Sequence, residues 1–382
     1  MFLLIFLKKI IQGSKLDRFF RILINQFSSY YFSLSRKIIF TENTNFIYIC
    51  YGGLGDCILA FPFLIKLSIR YQLTIFIDNS FKELSYLLPK NIAVKNYEKK
   101  NIIKELKKFS SLNKNYVLIQ QSPIAEFILF HYFLKKPTTI GFIYAQNIIS
   151  FEGIVYSNQK VNSLNKIFKY NKLLELILSI KNKNGMKSNV LNYQNKTFNY
   201  KYSPSKKYYI LSPTKNHNWK MGFLDFKVYA GFITKMATKS NLTPVIIGAD
   251  SDSFIINKIM NYISNTIIVK NLVGKTSIKE LIPLINNAEF VIANDNGIHH
   301  LSNFLKKPTL TLYSFSSYEV YNWSNKNSKY IFNPVFSCMP CIGKENGPFD
   351  NTPFKCPWNV RCKNTIDENR IFTKLKDLKW ID

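Results

Sequence analysis

The residues best suited to chemistry form the polar turn Asn294-Asp295-Asn296-Gly297-Ile298-His299-His300. The turn follows an apolar, strand-like run (residues 289–293) and leads directly into a helix-like run that starts at His299. The first backbone N–H groups of such a helix have no partner within the helix, and they favour a bound phosphate. Gly297 lets the backbone come close to that phosphate. The turn therefore predicts a nucleotide or another phosphate ligand.

A second turn, Gly52-Gly53-Leu54-Gly55-Asp56, follows the apolar run 46–50. It lacks the full spacing of the dinucleotide-binding fingerprint, so a nicotinamide-dependent dehydrogenase ranks behind the other candidates. Asp56 stands near the start of the next predicted helix. Its carboxylate either caps that helix or acts as a general base at the mouth of a cleft. The residues alone leave both roles open.

Two further strand ends carry polar groups. Thr214 and Lys215 begin a polar, basic loop that includes Lys220. A lysine in this loop could neutralise a diphosphate as a point charge, and a solvated basic loop is the alternative. Asp252 follows another strand end, where its carboxylate could accept hydrogen bonds from ribose hydroxyls or cap a helix.

Four of the six cysteines cluster late in the chain, as Cys338, Cys341, Cys356 and Cys362. Two pairs of thiols can close a tetrahedral zinc or iron site, although the second pair is spaced more widely than a usual metal-binding knuckle. A thiol-rich ordered loop without metal is the alternative. Because no export signal is recognisable, we expect reduced thiols rather than disulfides.

The elements that must position these residues follow a strand–helix rhythm that occurs twice. The first half has predicted strands over 46–50, 73–77 and 116–119 and a helix over 58–71. In the second half, strands over 208–211, 244–248, 289–293 and 308–313 alternate with helices over 223–237, 253–263, 277–286 and 299–305. This repetition predicts an α/β protein with two doubly wound domains. Their ligands should lie at the carboxyl ends of the strands, in a cleft between the halves.

Composition shifts give the expected domain limits. Residues 46–203 form the first domain and residues 204–364 the second, with a cysteine-rich loop over 338–362. Residues 365–382 are expected to pack back on the first domain. Residues 1–45 mix apolar and basic side chains at roughly helical spacing, which is typical of a helix lying on an anionic membrane. A helix packed on the body of the protein is the alternative.

The net charge of +29 is extreme for a chain whose apolar fraction of 47% is that of a globular protein. It indicates either a basic surface that faces an acidic glycolipid or anionic lipid, or a compositional bias toward lysine. No nucleic-acid-binding motif accompanies the charge, so we expect no nucleic acid partner.

Taken together, these segments resemble glycosyltransferase family 9, the heptosyltransferase family. The resemblance is most specific in the run from Asp295 to Ser302, in Lys307-Pro308 and in the stretch from Asn271 to Ser277. Within the first run, Asn296 stands where the family has a hydroxyl residue. The Leu54-Gly55-Asp56 turn and the late cysteine pairs are also similar to the family. The match covers about residues 46 to 366.

The resemblance implies a GT-B fold, in which an acceptor-binding and a nucleotide-sugar-binding Rossmann-like domain face a central cleft. It implies an inverting transfer of a heptose from ADP-heptose to a lipopolysaccharide inner-core or related surface glycan, with no cofactor required. Asp56 would be the general base, beside an acceptor-side turn of Gly52, Gly53 and Gly55. Lys220, or its rival Lys215, and the amides of residues 296–300 would stabilise the leaving ADP. The implied donor site consists of Thr214, Lys215, Asp252, Asp295, Asn296, Gly297, Ile298, His299 and His300.

Three alternatives accompany this interpretation. The donor could be another nucleotide sugar, or the acceptor a protein, as for the autotransporter-modifying heptosyltransferases that carry iron at four cysteines. A family member that binds nucleotide or glycan without turnover is a third alternative. The expected location is the cytoplasm, peripheral on the inner face of the inner membrane of a Gram-negative bacterium.

Overall fold

The computed structural model describes most of the chain outside its first 42 residues. The described residues are 43–50, 52–102, 104–105, 107–108, 116–119, 138–143, 147–151, 170–171, 173–175, 177, 206–214, 224–341 and 360–382. The chain separates into two units, residues 1–192 and 193–382, and each contains a six-stranded sheet. The predicted amphipathic helix of residues 1–45 falls almost entirely outside the described residues.

The first unit is built on strands of which the innermost are almost wholly apolar. The strands are β1 Asn45–Cys50, β2 Gln72–Asp78, β3 Ala93–Tyr97, β4 Tyr116–Ile119, β5 Thr138–Ile143 and β6 Asn147–Phe151. They lie in the order β3-β2-β1-β4-β5-β6, and every neighbouring pair is parallel except β5 with β6. Helix α1, Leu54–Leu67, and a 3₁₀ segment, Asn79–Leu87, connect the first three strands. Such continuous apolar runs are typical of parallel strands that are covered on both faces.

The second unit repeats this plan without an antiparallel strand. Its strands are β7 Tyr208–Ser212, β8 Thr243–Ile246, β9 Lys270–Asn271, β10 Val291–Asn294, β11 Thr309–Tyr313 and β12 Ser328–Phe332. Its helices are α2 Phe226–Lys239, α3 Ser253–Met260, α4 Ile278–Asn287, α5 Gly297–Phe304, α6 Tyr318–Tyr321 and α7 Glu368–Asp377. The order β12-β11-β10-β7-β8-β9, all parallel, is the Rossmann order read from the far edge. The predicted α/β class with two Rossmann-like domains is confirmed.

Side-chain caps determine where the helices of the second unit begin. Ser277 Oγ accepts a hydrogen bond from the Glu280 N–H at 3.3 Å, and the Glu280 carboxylate accepts one from the Ser277 N–H at 2.8 Å. This reciprocal pair satisfies two donors at the start of α4 that the helix itself leaves open. Asp225 accepts from the Lys227 N–H at 3.0 Å and so starts α2. The predicted helix over 223–237 was therefore placed about three residues too early.

The carboxyl-terminal segment belongs to the second unit. Ile371, Phe372 and Leu375 of α7 are buried in the same apolar cluster as the inner face of α2. Trp380 stacks on Phe290, with ring centroids 5.9 Å apart. Helix α7 presents an apolar face that α2 covers within the second unit. The expected packing of residues 365–382 on the first domain stays a prediction.

Within the described ranges, no helix combines the length and the apolarity needed to cross a bilayer.

Candidate functional site

The site of the second unit lies where the chain reverses direction across the sheet. Strands β7 and β10 are neighbours, and the connections that follow them lead to opposite edges of the sheet. In doubly wound sheets, ligands bind beyond the carboxyl ends of the strands at such a switch point. Here those ends are Ser212 and Asn294, and the loops that follow them carry Thr214 and Asn296. The fold thus brings two predicted segments together.

Asn296 joins these two loops through its side-chain amide. Its Nδ2 group donates to the Ser212 carbonyl at 3.2 Å, the Ser212 hydroxyl at 3.0 Å and the Thr214 carbonyl at 2.7 Å. Its Oδ1 accepts from the N–H groups of Ile298 at 2.9 Å and His299 at 3.1 Å. One side chain therefore caps α5 and also fixes the start of the basic loop.

This cap changes the expected role of the helix start. The resemblance implies that the amides of residues 296–300 stabilise the leaving ADP. In the structure, the Ile298 and His299 amides already donate to Asn296. A phosphate would have to displace Asn296 Oδ1 to use these two amides.

A second bridge between the two loops lies deeper. Asn294 donates to the Pro213 carbonyl at 2.8 Å and accepts from the Tyr229 hydroxyl at 2.8 Å. The Tyr229 oxygen in turn accepts from the Leu224 N–H at 3.1 Å. Burial raises the pKa of Tyr229 well above its ordinary value, and the bonds to Leu224 and Asn294 offset this only in part. The phenol stays protonated and donates.

Asp295 lies between two histidines in the interior of the site. Its Oδ1 is 3.8 Å from Nδ1 of His299 and 3.9 Å from Nε2 of His300. The imidazole rings are 4.3 Å apart, and the Tyr313 ring meets the His299 ring edge-on at 6.0 Å. Burial first, and then the Asp295 carboxylate, raise the pKa of Tyr313 well above its ordinary value. All four side chains are buried.

Asp295, His299 and His300 are also the one group in the described part of the chain whose three ligand atoms lie within 4.8 Å of one another. One member of this group, His300, also accepts a hydrogen bond from a tryptophan. The indole N–H of Trp323 donates to Nδ1 of His300 at 3.1 Å.

In the first unit, Asp56 occupies the start of α1. Its Oδ2 accepts from the Gly53 N–H at 3.3 Å, and the carboxyl group is only partly buried. A Cβ at Gly52 would lie 2.7 Å from this carboxylate, so the turn can approach Asp56 closely only as glycine. The capping role that the sequence left open is thus present. The side chain stays partly exposed. Gly55 lies in the first turn of the same helix.

Asp252 forms a similar arrangement after β8. Its Oδ2 accepts from the Ala249 N–H at 2.9 Å, and a Cβ at Gly248 would lie 2.9 Å from that oxygen. The carboxylate therefore caps the 3₁₀ segment Asp250–Asp252 that leads into α3. The ribose contact implied by the resemblance stays a prediction.

Three predicted residues, Lys215, Lys220 and Cys356, lie outside the described residues. The other late cysteines, Cys338, Cys341 and Cys362, lie in one apolar cluster with Phe315 and Met339. Their three sulfur atoms do not all lie within 4.8 Å of one another, whereas the thiolates of a tetrahedral site converge on a single ion at about 2.3 Å. The described thiols therefore do not fit a zinc or iron site as they stand.

Ser212, Tyr229 and Trp323 also belong to the site, and none of them was selected from the sequence. Ser212 is the last residue of its strand, and the rule that ligands lie at strand ends could have identified it. Tyr229 and Trp323 carry no local signal, because each acts on a residue far away in the sequence.

The family model for glycosyltransferase family 9 (heptosyltransferase) matches residues 127–348, which is more than half of the chain. Two curated proteins, each the lipooligosaccharide heptosyltransferase 2 of a Campylobacter jejuni strain, are 29% and 30% identical to it over 111 residues. The match covers 29% of this chain and spans about a third, 32%, of the length of those relatives.

Solved structures show the same fold at low identity. The Escherichia coli ADP-heptose LPS heptosyltransferase II has a TM-score of 0.60 at 13% identity, over 87% of this chain and 98% of that chain. The family 9 glycosyl transferase from Veillonella parvula reaches 0.62 at 13% identity, over 90% and 99%. The iron-containing dodecameric glycosyltransferase TibC from enterotoxigenic E. coli reaches 0.55 at 13% identity, over 90% and 77%. These likenesses show the GT-B fold.

Proposed function

We propose, from the premise that the chain belongs to glycosyltransferase family 9, that it is an inverting glycosyltransferase that moves a heptose from ADP-heptose to a lipopolysaccharide inner-core or related surface glycan. The observation that carries the proposal is the polar bridge between the loops after β7 and β10. It lies at the switch point where doubly wound sheets bind nucleotides.

The second unit is the proposed donor side. Its switch point gathers Thr214, Asp295, Asn296 and His300, and Asp252 stands at the end of the neighbouring strand β8. The choice of ADP-heptose is supported by similarity to a structure that is itself named an ADP-heptose lps heptosyltransferase. The acceptor is supported by the curated lipooligosaccharide heptosyltransferases.

The proposed step is a single displacement. Asp56 takes the proton of the acceptor hydroxyl, and that oxygen forms a bond to the anomeric carbon of the heptose. The bond between this carbon and the diphosphate oxygen breaks on the opposite face, and its electron pair leaves with ADP. The configuration at the anomeric carbon inverts, and the proton stays on the Asp56 carboxyl group. The bond from the Gly53 N–H to Oδ2 restricts the position of the Asp56 side chain, which supports this role.

The leaving diphosphate must be stabilised by positive charge and N–H donors. Lys220 or Lys215, in the loop that the Asn296 bridge anchors, supplies the charge, and His300 supplies an N–H group. We expect transfer to proceed without a divalent metal, because these groups neutralise the diphosphate themselves. An unchanged transfer rate in excess EDTA is the expected result.

The acceptor is proposed to be an anionic glycolipid at the cytoplasmic face of the inner membrane. The net charge of +29 supports attraction to such a surface. Residues 1–45 would add an amphipathic contact. A chain that begins at Thr41 should bind anionic liposomes more weakly than the full chain, and equal binding would remove this part of the proposal.

The decisive experiment combines nucleotide binding with a single substitution. Calorimetric titration at one salt concentration should show ADP binding more tightly than GDP or UDP. Asp56→Asn keeps an oxygen that can cap α1 but removes the base. We expect it to lower the transfer rate by about 10²–10⁴-fold and to leave ADP affinity unchanged.

Other outcomes identify the alternatives. A preference for GDP or UDP would mean a different donor sugar on the same fold. Binding without transfer, in wild type and Asp56→Asn alike, would indicate a non-catalytic family member. Iron in the purified protein that is lost in Cys341→Ser would favour a protein acceptor of the autotransporter type. Full transfer by Asp56→Asn would refute the mechanism whichever donor is used.

A further inference from the structure

The hydrogen bond between Trp323 and His300 has no role in the transfer step described above. Trp323 follows the short helix α6, and its indole N–H donates to Nδ1 of His300 at 3.1 Å. Only 7% and 5% of these two residues is exposed, so water does not compete for the bond. Because an indole N–H can only donate, Nδ1 of His300 must be an unprotonated acceptor.

This bond determines where the ring carries its proton. A neutral imidazole with an unprotonated Nδ1 has its single proton on Nε2. A second proton would set an N–H on Nδ1 directly against the N–H of Trp323, which opposes formation of the cation. Nε2 is the atom that lies 3.9 Å from Asp295, in the loop at the switch point. The ring therefore turns its N–H donor toward the Asp295 side of the site.

We propose that Trp323 is a positioning residue that keeps His300 neutral with its proton on Nε2, so that α5 presents a side-chain donor to an anionic oxygen of the ligand. The inference rests on the proposed function, because it takes that oxygen to belong to the diphosphate of a nucleotide sugar. Such a donor is needed because Asn296 already occupies the amides of Ile298 and His299. With the opposite tautomer, the ring would turn a lone pair toward the phosphate.

The same bond limits metal binding at Asp295, His299 and His300. A histidine nitrogen must be unprotonated to coordinate a metal. The Nε2 atom that lies near Asp295 carries the proton, so the three side chains cannot act together as a metal site while Trp323 donates to His300.

The direct test is the tautomer itself, read from the side-chain ¹⁵N resonances of the full-length protein without nucleotide. The chain has four histidines, and His300 can be assigned as the signal that is lost in His300→Gln. We expect Nε2 to carry the proton and Nδ1 to be unprotonated from about pH 6 to about pH 8. Among the described residues, Asp295 and His299 are charged or titratable groups that face this ring, and Tyr313 faces Asp295 from β11.

Trp323→Phe removes the N–H but keeps an aromatic ring. Without this N–H the ring is no longer held in one tautomer, so part of His300 should carry its proton on Nδ1. Phe304→Leu is the matched control, because Phe304 packs edge-on against Trp323 at 6.4 Å and its loss disturbs the packing without removing the N–H. This variant should keep the wild-type tautomer.

Nucleotide binding supplies a second measurement. In Trp323→Phe, molecules whose His300 carries its proton on Nδ1 turn a lone pair rather than an N–H toward the ligand. ADP affinity should then be lower than in wild type, by up to about tenfold. Phe304→Leu should keep the wild-type affinity.

Three results would overturn the inference. The first is a wild-type His300 that is protonated on Nδ1, and the second is a Trp323→Phe spectrum that matches wild type. The third is a shift of the wild-type His300 signals on adding Zn²⁺, because coordination needs an unprotonated Nε2. If wild type binds no ADP, the proposed function fails, while the tautomer measurement still decides the role of Trp323.

Discussion

Replacing Asn296 should destabilise the second unit to a degree that depends on the new residue, because Oδ1 and Nδ2 of Asn296 make different hydrogen bonds. Oδ1 caps α5, and losing an asparagine cap to alanine costs about 1 kcal/mol. Nδ2 donates to three acceptors on Ser212 and Thr214, which are only 1% and 3% exposed. Leaving such acceptors unpaired costs about 1–3 kcal/mol in total. Asn296→Ala should therefore lower the free energy of unfolding by about 2–4 kcal/mol.

Two smaller changes separate the cap from the bridge. Asn296→Ser keeps a capping oxygen, so it should lose only the bridge, at about 1–3 kcal/mol. Asn296→Asp also keeps the cap but turns a carboxylate oxygen toward the two carbonyls, and it should be at least as destabilising as serine at neutral pH. Those carbonyls favour the protonated acid, so the pKa of the new carboxyl group is raised by folding. Its contribution to stability is present at low pH and is lost as pH rises through that raised pKa.

Urea unfolding followed by tryptophan fluorescence measures this effect. All four tryptophans lie between residues 193 and 382, so the signal reports the second unit. With an m-value of about 2 kcal/mol/M, Asn296→Ala should lower the midpoint by about 1–2 M. Asn257→Asp, at an exposed position on α3, is the charge-matched control and should change stability by less than about 0.5 kcal/mol. If Asn296→Asp equals wild type at neutral pH, the bridge does not stabilise the site.

Other predictions concern buried hydroxyl groups and one strained turn. Tyr209→Phe should leave the free energy of unfolding in urea unchanged or raise it, because the Tyr209 hydroxyl has no hydrogen-bond partner among the described residues. Tyr229→Phe should lower it by about 1–2 kcal/mol, because the Tyr229 hydroxyl bonds to Asn294 and to a backbone N–H. Burial raises the pKa of both phenols, so the unfolded chain releases these protons at a lower pH than the folded chain. The free energy of unfolding should therefore fall as pH rises above about 10. If it falls as much in Tyr209→Phe as in wild type, this explanation is wrong. Gly274→Ala should lower the melting temperature and reduce the free energy of unfolding by about 1 kcal/mol or more. The reason is that φ at Gly274 is +69° and the new Cβ would lie 2.8 Å from Asp250. An unchanged melting temperature would show that the turn relaxes freely.

The sequence predicted most inner strands well, but it did not predict β5, and it predicted the outer strands poorly. Strand β4 was predicted with its observed limits, and β1, β7 and β11 within one residue at each end, because buried parallel strands read as unbroken apolar runs. By contrast, β3 and β12 lie at sheet edges, where exposed polar residues interrupt the run. Strand β9 has only two residues. An edge strand is not covered on all of its sides, so its residues need not form an unbroken apolar run.

The candidate site also has a part that could be predicted from the sequence and a part that could not. A turn that supplies polar groups after a strand can be recognised locally, and Asp295, Asn296 and Thr214 were selected in this way. The bond from Asn296 to Thr214 spans 82 positions in the chain, and only the strand order makes the two loops neighbours. The start of α5 at Gly297 rather than His299 has the same origin, because the cap at Asn296 extends the helix toward the strand.

The residue at position 296 explains why this site depends on side chains. A serine or threonine could cap α5, but its single O–H cannot reach several acceptors on the facing loop. Asparagine does both, so it ties the residues before the basic loop to the helix start while it occupies two of the first amides. Under the proposed function, the loop lysines and His300 supply the diphosphate donors that these two amides do not give. The proposed role of Trp323 is to hold the proton of His300 on Nε2, where it can serve as one of these donors.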